Sequence, residues 1–366
     1  MSPRLRYLFI ATHVPRSGGG GGMVRYAVEM ARALAARDDI DLHVLVNGDG
    51  DQAFTGLELG GVHHTRGGGQ VGAALEGFSG MTTGWRGFDV VHGTKHLLPW
   101  RVVGTRVLTV HDMLVLDRPR DFGLAKRALV RTPYLAALRS ADLLVCVSRA
   151  TRRRVVDYLP ETAGRTAVVG HATRSALRDQ PAAEVPALTD RRFALVVGDP
   201  SPRKNLRTVV DAWPGVMARD PDAVLAVVGP SGWGTTDRGV AFDRLVADGH
   251  VLPLGHVPDP ELRWLYENAA TVLCPSIAEG FGLPASEALE LGARVISSED
   301  PALAEAAAGR AQVVSGRRPQ AWTEAVVAHL SAPPDDGADV DTGSGRDWDQ
   351  VADETVAAIR QQRGRL

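Results

Sequence analysis

The 366-residue sequence has only two cysteines, Cys146 and Cys274, and both lie inside apolar runs. That leaves no disulfide framework or thiolate metal centre; the pair reads as small core residues of a reducing compartment. Charge of one sign is lacking as well. The formal net charge is -2, so nothing global directs the chain to nucleic acid. No apolar run approaches the roughly 20 residues that span a bilayer. The opening MSPRLRYLFIATH is a short apolar stretch before a glycine loop. It reads as a first β-strand rather than a signal peptide and predicts a cytoplasmic protein. No strand leads into a GxGxxG fingerprint with a matching acid, which disfavours a Rossmann dehydrogenase. No internal repeat stands out beyond an alternation of strand and helix patterns.

What is present is a balanced soluble composition, 44% hydrophobic and 23% charged, in a chain long enough for two cores. Short apolar segments recur between turn residues: LRYLFIAT, DIDLHVLV, DVVHGT, RVLTVHD, ADLLVCVS and TAVVG, then RFALVVGD, AVLAVVGP, HVLPLGHV, ATVLCPS, RVISS and AQVVS. Several are continuously apolar, as strands covered on both faces of a parallel sheet are. Between them Met23, Ala27, Met30 and Leu34 share one helical face. The reading is α/β, with the rhythm restarting near Arg192. It predicts an N-terminal domain over 1–178, a proline-rich linker over 179–191, a second domain over 192–331 and a mobile acidic loop over 332–346. A final helix within 347–366 carries Trp348, Val351, Val356 and Ile359 as its apolar positions, with the N-terminal domain as one candidate surface for them.

The chemistry concentrates in two stretches. In PSIAEGFGLPASEALELGARVI, from Pro275, a strand enters a loop with Gly280 and Gly282, and Pro284 suits the start of a helix. Such a helix start at a strand end presents free N–H groups to a phosphate. Glu279 and Glu287 flank it, and carboxylates beside a phosphate site suit sugar hydroxyls. On this pattern alone, sugar and ribose ligands stand level with a surface charge at 279 and a solvated helix residue at 287. In VVGDPSPRKNLRTVVDAW, Gly198 begins a turn that delivers Arg203 and Lys204 to a helix start. Adjacent fixed cations there suit a diphosphate; the bland alternative is a basic pair on an exposed loop.

Together these stretches resemble glycosyltransferase family 4, the large retaining group with the GT-B fold. The two glutamates have the family's spacing within EGFGLPASE; GDPSPRKN, GGMVRYAVEMARAL from Gly21 and TVHD at Thr109 to Asp112 match further motifs in the right order. The resemblance implies two Rossmann-like doubly wound domains with an interdomain cleft. It implies that Glu279 binds the donor sugar, Glu287 the ribose, and Arg203 and Lys204 the leaving diphosphate. Gly21 and Gly22 would let the backbone approach the donor, and His111 would line the reaction centre. The amides of Phe281, Gly282 and Leu283 would meet sugar and phosphate, and the backbone around Val257 the base. It further implies no metal and no cofactor beyond the nucleotide diphosphate sugar itself, and no DxD-type motif stands in a convincing position. The PRKN and VHD variants resemble members that use GDP-mannose. The expected acceptor is a hydroxyl of a glycan, a lipid-linked molecule or a small molecule. Another GT-B enzyme, such as an epimerase or a synthase, and a nucleotide-sugar-binding module without turnover are the rival readings.

Other residues carry weaker indications. His111 beside Asp112 favours a pocket over a satisfied core histidine. His92 and His96 read equally as acceptor-side or supporting residues, Tyr266 as helix core, and Ser148 as a helix cap. The basic stretch 118–139 reads as a solvated helix face, or as a peripheral contact with the inner face of the membrane. Three departures from the family pattern stand out: GHATRS at Gly170 to Ser175; the acid Asp199 beside the expected diphosphate, which is expected to point away or else to weaken a phosphate contact; and the long acidic loop before the last helix.

Overall fold

The computed structural model describes residues 4–65, 87–99, 102–122, 124–230, 236–333 and 345–365. The chain divides into two compact units. One holds residues 1–117, 124–172 and 346–366, and the other holds 118–123 and 173–345.

The first unit is built on a seven-stranded sheet, with β1 (Leu5–Ile10), β2 (Ile40–Val46), β3 (Gly61–His64), β4 (Val90–Gly93), β5 (Thr105–Val110), β6 (Leu143–Cys146) and β7 (Thr166–Val168) in the order β3-β2-β1-β4-β5-β6-β7. The recorded pairings are parallel. Strand order reverses between β1 and β4, which is where open α/β sheets place their ligands. The helix Gly22–Ala35 buries Tyr26, Ala27, Met30 and Leu34 against Tyr7, Phe9 and Val44 of the sheet. The helix Trp348–Arg363 joins the same core through Trp348, Val351, Val356 and Ile359. It starts with a capping box between Asp347 and Gln350. Each of its large buried apolar side chains is worth roughly 1.5–3 kcal/mol.

The second unit has a six-stranded sheet in the order β10-β9-β8-β11-β12-β13, from β8 (Phe193–Val197), β9 (Val224–Val228), β10 (Val251–Gly255), β11 (Thr271–Cys274), β12 (Val295–Ser298) and β13 (Gln312–Val314). Its pairings are parallel too. The order reverses between β8 and β11, so the loops leaving these two strands flank the switch point. Apolar layers cover both faces, one around Tyr266 and Leu195, the other around Trp213 and Trp322.

Two expectations need correction. The stretch 179–191 is not a free linker: Val185 and Leu188, with Leu177 before them, are buried in the second unit's core. Arg263 also donates to the carbonyls of Arg178 and Gln180. The first unit correspondingly ends at Ala172 rather than at 178. Finally, β3 is a strand that the apolar runs do not announce, because only alternate residues of GVHH turn inward. Of the acidic loop 332–346, residues 334–344 lie outside the described residues, as do Gly123 and the side chains of 124–129 within the basic stretch 118–139. Among the described residues no helix is long and apolar enough to cross a membrane.

Candidate active site

In the second unit β8 ends in Gly198, whose φ of +153° suits glycine. A 3₁₀ turn, Pro202–Lys204, then swings Arg203 and Lys204 over the switch point. Asn205 stops the turn in a left-handed conformation. Its amide donates to the carbonyl of Pro275 at 3.1 Å and to that of Gly316 at 2.5 Å, tying the β8 loop to its neighbours. On the other side β11 opens into the loop that carries Glu279. Lys204 Nζ donates to Glu279 Oε1 at 2.6 Å, and Arg203 donates to Oε2 at 3.2 Å. The Glu279 side chain is only 10% exposed. Burial alone would raise its pKa, but Lys204 and Arg203 outweigh burial and hold the carboxyl at about 2. The Glu279 amide in turn donates to Asp300, which also caps the helix Pro301–Ala307. Gly198, Lys204, Glu279 and Pro284 line one hollow.

Asp199 does not turn away from these cations. It accepts from the Ser201 amide at 2.9 Å and lies 3.7 Å from Arg203. Burial pushes its carboxyl up; the Ser201 hydrogen bonds, Arg203 and Lys204 pull it below the usual range. Arg203 is therefore held between two carboxylates, which fixes its direction.

The helix Leu283–Glu290 begins at the hollow. Gly282 precedes it with φ +100°, and a Cβ there would stand 2.8 Å from Leu303. Phe281 and Leu283 are half-buried at this helix start. Glu287, one turn on, is fully buried, so it is not a solvated helix residue. Arg174 grips it twice, Nε to Oε1 at 2.8 Å and NH2 to Oε2 at 3.2 Å, and Tyr266 donates to Oε2 at 3.0 Å. The remaining arm of Arg174 donates to Asp259, the first residue of the helix Asp259–Asn268. Val257, just before, turns its side chain into the core, which leaves its backbone as the part able to meet a ligand.

In the first unit His111 follows β5. Its Nε2 donates to the Thr94 carbonyl at 3.0 Å, so its Nδ1 is the acceptor when the ring is neutral. Burial, opposed by that hydrogen bond and by Asp112, lowers its pKa to about 4, so the ring is neutral near pH 7. Tyr26 stands edge-on to it at 4.9 Å and His171 stacks on it at 5.6 Å. Gly21 caps the helix that begins at Gly22, with extended backbone, and a Cβ on it would meet nothing within 4 Å. The left-handed φ values of this loop belong to Gly18 and Gly20 instead. His92 is fully buried, bonded to Tyr7 at 2.5 Å and Thr109 at 2.7 Å, which makes it a core residue. His96 packs edge-on against Tyr134. Ser148 caps its helix by accepting from the Thr151 amide.

Two family models match the chain in tandem: Glycosyltransferase Family 4 over residues 20–176 and Glycosyl transferases group 1 over residues 179–336. The chain belongs to glycosyltransferase family 4. This family 4 enzyme is 27% identical to O-antigen chain mannosyltransferase B of Escherichia coli over 286 residues, which cover 74% of each chain. It is 25% identical to a D-inositol 3-phosphate glycosyltransferase of Kineococcus radiotolerans over 371 residues, 87% of this chain and 84% of that one. Its fold is GT-B: it superposes on the Anabaena HepE structure in complex with UDP-glucose with a TM-score of 0.68 and 16% identity, covering 99% of both chains.

The enzyme's second unit thus brings Gly198, Arg203, Lys204, Glu279 and the helix start at Leu283 to one place. Sequence reasoning missed Arg174 and Asp259, whereas Tyr266 is helix core as expected. The one available indication was the departure of GHATRS from the family pattern. Among the described residues no three His, Cys, Asp or Glu side chains are placed to hold a metal ion. What the site offers chemically is two held cations and helix amides, a receptor for a negative group.

Proposed function

We propose that this glycosyltransferase moves a hexose from a nucleotide diphosphate donor, GDP-mannose first, to a hydroxyl of a glycan, lipid-linked or small-molecule acceptor. It does so with retention of configuration and without a metal or further cofactor. The observation that carries the reading is the convergence of Lys204 and the start of the helix Leu283–Glu290 on one hollow at the β8/β11 switch point, with Arg203 bonded to Glu279 of its lining. Cleaving a sugar–diphosphate bond leaves negative charge on the phosphate, and a preorganised cationic pocket lowers that barrier. Lys204 and Arg203 hold Glu279 with the same donors that would face the diphosphate. Their sharing with the phosphate loosens Glu279 toward the hydroxyls of the transferred sugar. Neutral His111 offers an acceptor nitrogen to a sugar hydroxyl. The leaving phosphate itself takes the acceptor's proton, so no protein nucleophile is assigned. The mannosyltransferase relative supports mannose as the first choice; the HepE complex keeps UDP-sugars in the test.

A thermal-shift panel of nucleoside diphosphates and nucleotide sugars, with and without EDTA, tests this. A ligand of the folded state raises the melting temperature with the logarithm of its concentration. GDP is expected to stabilise the enzyme equally with EDTA, and Lys204→Ala is expected to lose the shift. A response only to NAD, or only with added metal, overturns the reading.

A further inference from the structure

Asp199 has no part in the chemistry described so far, yet it lines the hollow that would receive the diphosphate, beside Gly198, Lys204 and Glu279. Its local task is a turn, in which one carboxyl oxygen accepts from the Ser201 amide at 2.9 Å. An asparagine closes such a turn equally well, so the turn does not call for a charge. The charge is there nonetheless. Burial opposes it, but the Ser201 bonds, Arg203 and Lys204 outweigh burial and keep the carboxyl ionised at neutral pH.

Two carboxylates thus accompany two cations at this hollow, and they are held differently. The Glu279 side chain is 10% exposed and accepts from both Lys204 and Arg203. The Asp199 side chain is 28% exposed and stands 3.7 Å from Arg203, beyond hydrogen-bond reach. A ligand that takes the two cations loosens Glu279, whereas the backbone turn keeps Asp199 where it is. A carboxylate fixed beside a phosphate site disfavours a bound anion in proportion to that anion's charge. The charge of the ligand changes during the reaction. In the donor the outer phosphate is esterified to the sugar and cannot take its second negative charge. Once freed it titrates near pH 6 and carries about -1.5 to -2 at pH 7. The repulsion from Asp199 is therefore larger for the product than for the donor.

Resting on the donor reading above, we infer that Asp199 is a specificity-determining residue that separates the donor from the spent diphosphate: its fixed negative charge weakens the hold on the released nucleoside diphosphate more than the hold on the nucleotide sugar. Arg203, Lys204 and the helix amides attract both ligands. Asp199 subtracts from that attraction most where the ligand is most charged, so it speeds release and limits product inhibition.

The experiment measures the dissociation constants of GDP, GDP-mannose, UDP, UDP-glucose and inorganic pyrophosphate by calorimetry for wild type, Asp199→Asn and Asp199→Ser. The product-inhibition constant of the diphosphate is measured alongside. Both variants delete the charge and keep an acceptor for the Ser201 amide, so either decides the matter should the other fail to fold. GDP is expected to bind Asp199→Asn about tenfold tighter and GDP-mannose only about threefold tighter, as one extra ligand charge near a protein surface implies. The inhibition constant of GDP should fall about tenfold as well. If the uridine pair is the one that binds, the same ratio is expected of UDP and UDP-glucose. No change, or equal tightening of diphosphate and nucleotide sugar, overturns the inference, because the charge then does not tell them apart. Weaker binding of both also overturns it, since Asp199 would then serve only to aim Arg203. These outcomes leave the donor reading standing. A wild-type enzyme that binds pyrophosphate but no nucleoside diphosphate refutes the donor reading itself.

Discussion

Lys204 Nζ and Glu279 Oε1 meet at 2.6 Å across the β8/β11 switch point, joining residues 75 positions apart. The pair makes the carboxylate a competitor for the cations that a diphosphate needs. Glu279→Gln is therefore expected to tighten nucleoside diphosphate binding by about threefold while transfer falls by about a hundredfold or more. Calorimetry and a radiolabel transfer assay measure the two quantities. Parallel loss of both contradicts the role given to Glu279.

Removing a cation acts the other way. Lys204→Ala should weaken diphosphate binding by about 2–3 kcal/mol, since it deletes a charge-assisted bond. The loss should be the same for GDP and for pyrophosphate, because Lys204 faces the phosphates alone. A loss seen with GDP but not with pyrophosphate would place Lys204 elsewhere.

Asp300 holds the Glu279 backbone at 3.3 Å and caps the helix Pro301–Ala307. Asp300→Ala should cost about 1 kcal/mol in stability as a lost cap. It should also lower kcat several-fold with little change in diphosphate affinity, since Arg203 and Lys204 stay in place. Chemical denaturation and steady-state kinetics check both parts; an unchanged kcat would mean that the Glu279 loop does not need Asp300.

Acid should act on the two units at different pH. Burial lowers His92 to about 3 and His111 to about 4 from 6.5, so both fold as neutral rings. A depressed histidine pKa means that the unfolded chain takes up protons first. Its contribution is complete above 6.5 and is lost as pH falls toward the folded value. His92 alone predicts a loss of about 2 kcal/mol between pH 6.5 and 5. Glu279 is depressed from 4.5 to about 2, so its share in the second unit is kept above 4.5 and declines only below. Urea midpoints of the two units at pH 7 and pH 5 read this directly. A first-unit midpoint that does not move sinks the assignment of neutral buried imidazoles.

Gly282→Ala tests the helix start. The added methyl meets Leu303 at 2.8 Å in a backbone conformation unfavourable to alanine. About 1–3 kcal/mol of destabilisation is expected. Phosphate affinity should fall with it as the helix amides shift. Retention of full affinity would show that those amides do not face the phosphate.

Much of this architecture was readable because parallel strands covered on both faces are continuously apolar. YLFI and AVLAVV carry that pattern, while the half-exposed GVHH of β3 does not. Arg203, Lys204 and Glu279 were found because each follows a strand at the reversal of sheet order, and local motifs mark both loops. Arg174 escaped because its partners lie 85 and 113 positions away, and no spacing rule connects them. For the same reason spacing places Glu287 one turn into the helix but says nothing of the guanidinium that arrives there from another segment. The segment 179–191 was taken for a linker because Val185 and Leu188, with Leu177 before them, follow no helical or strand period, though all three are buried.

The helix Trp348–Arg363 completes the core begun by β1 and the helix Gly22–Ala35, with most of the other unit's sequence lying in between. During translation the earliest-made half must therefore wait, its apolar surface uncovered, while residues 173–345 are synthesised and are able to fold. A chain cut at Gly345 would keep the whole second unit and leave the first without Trp348, Val351, Val356 and Ile359 in its core.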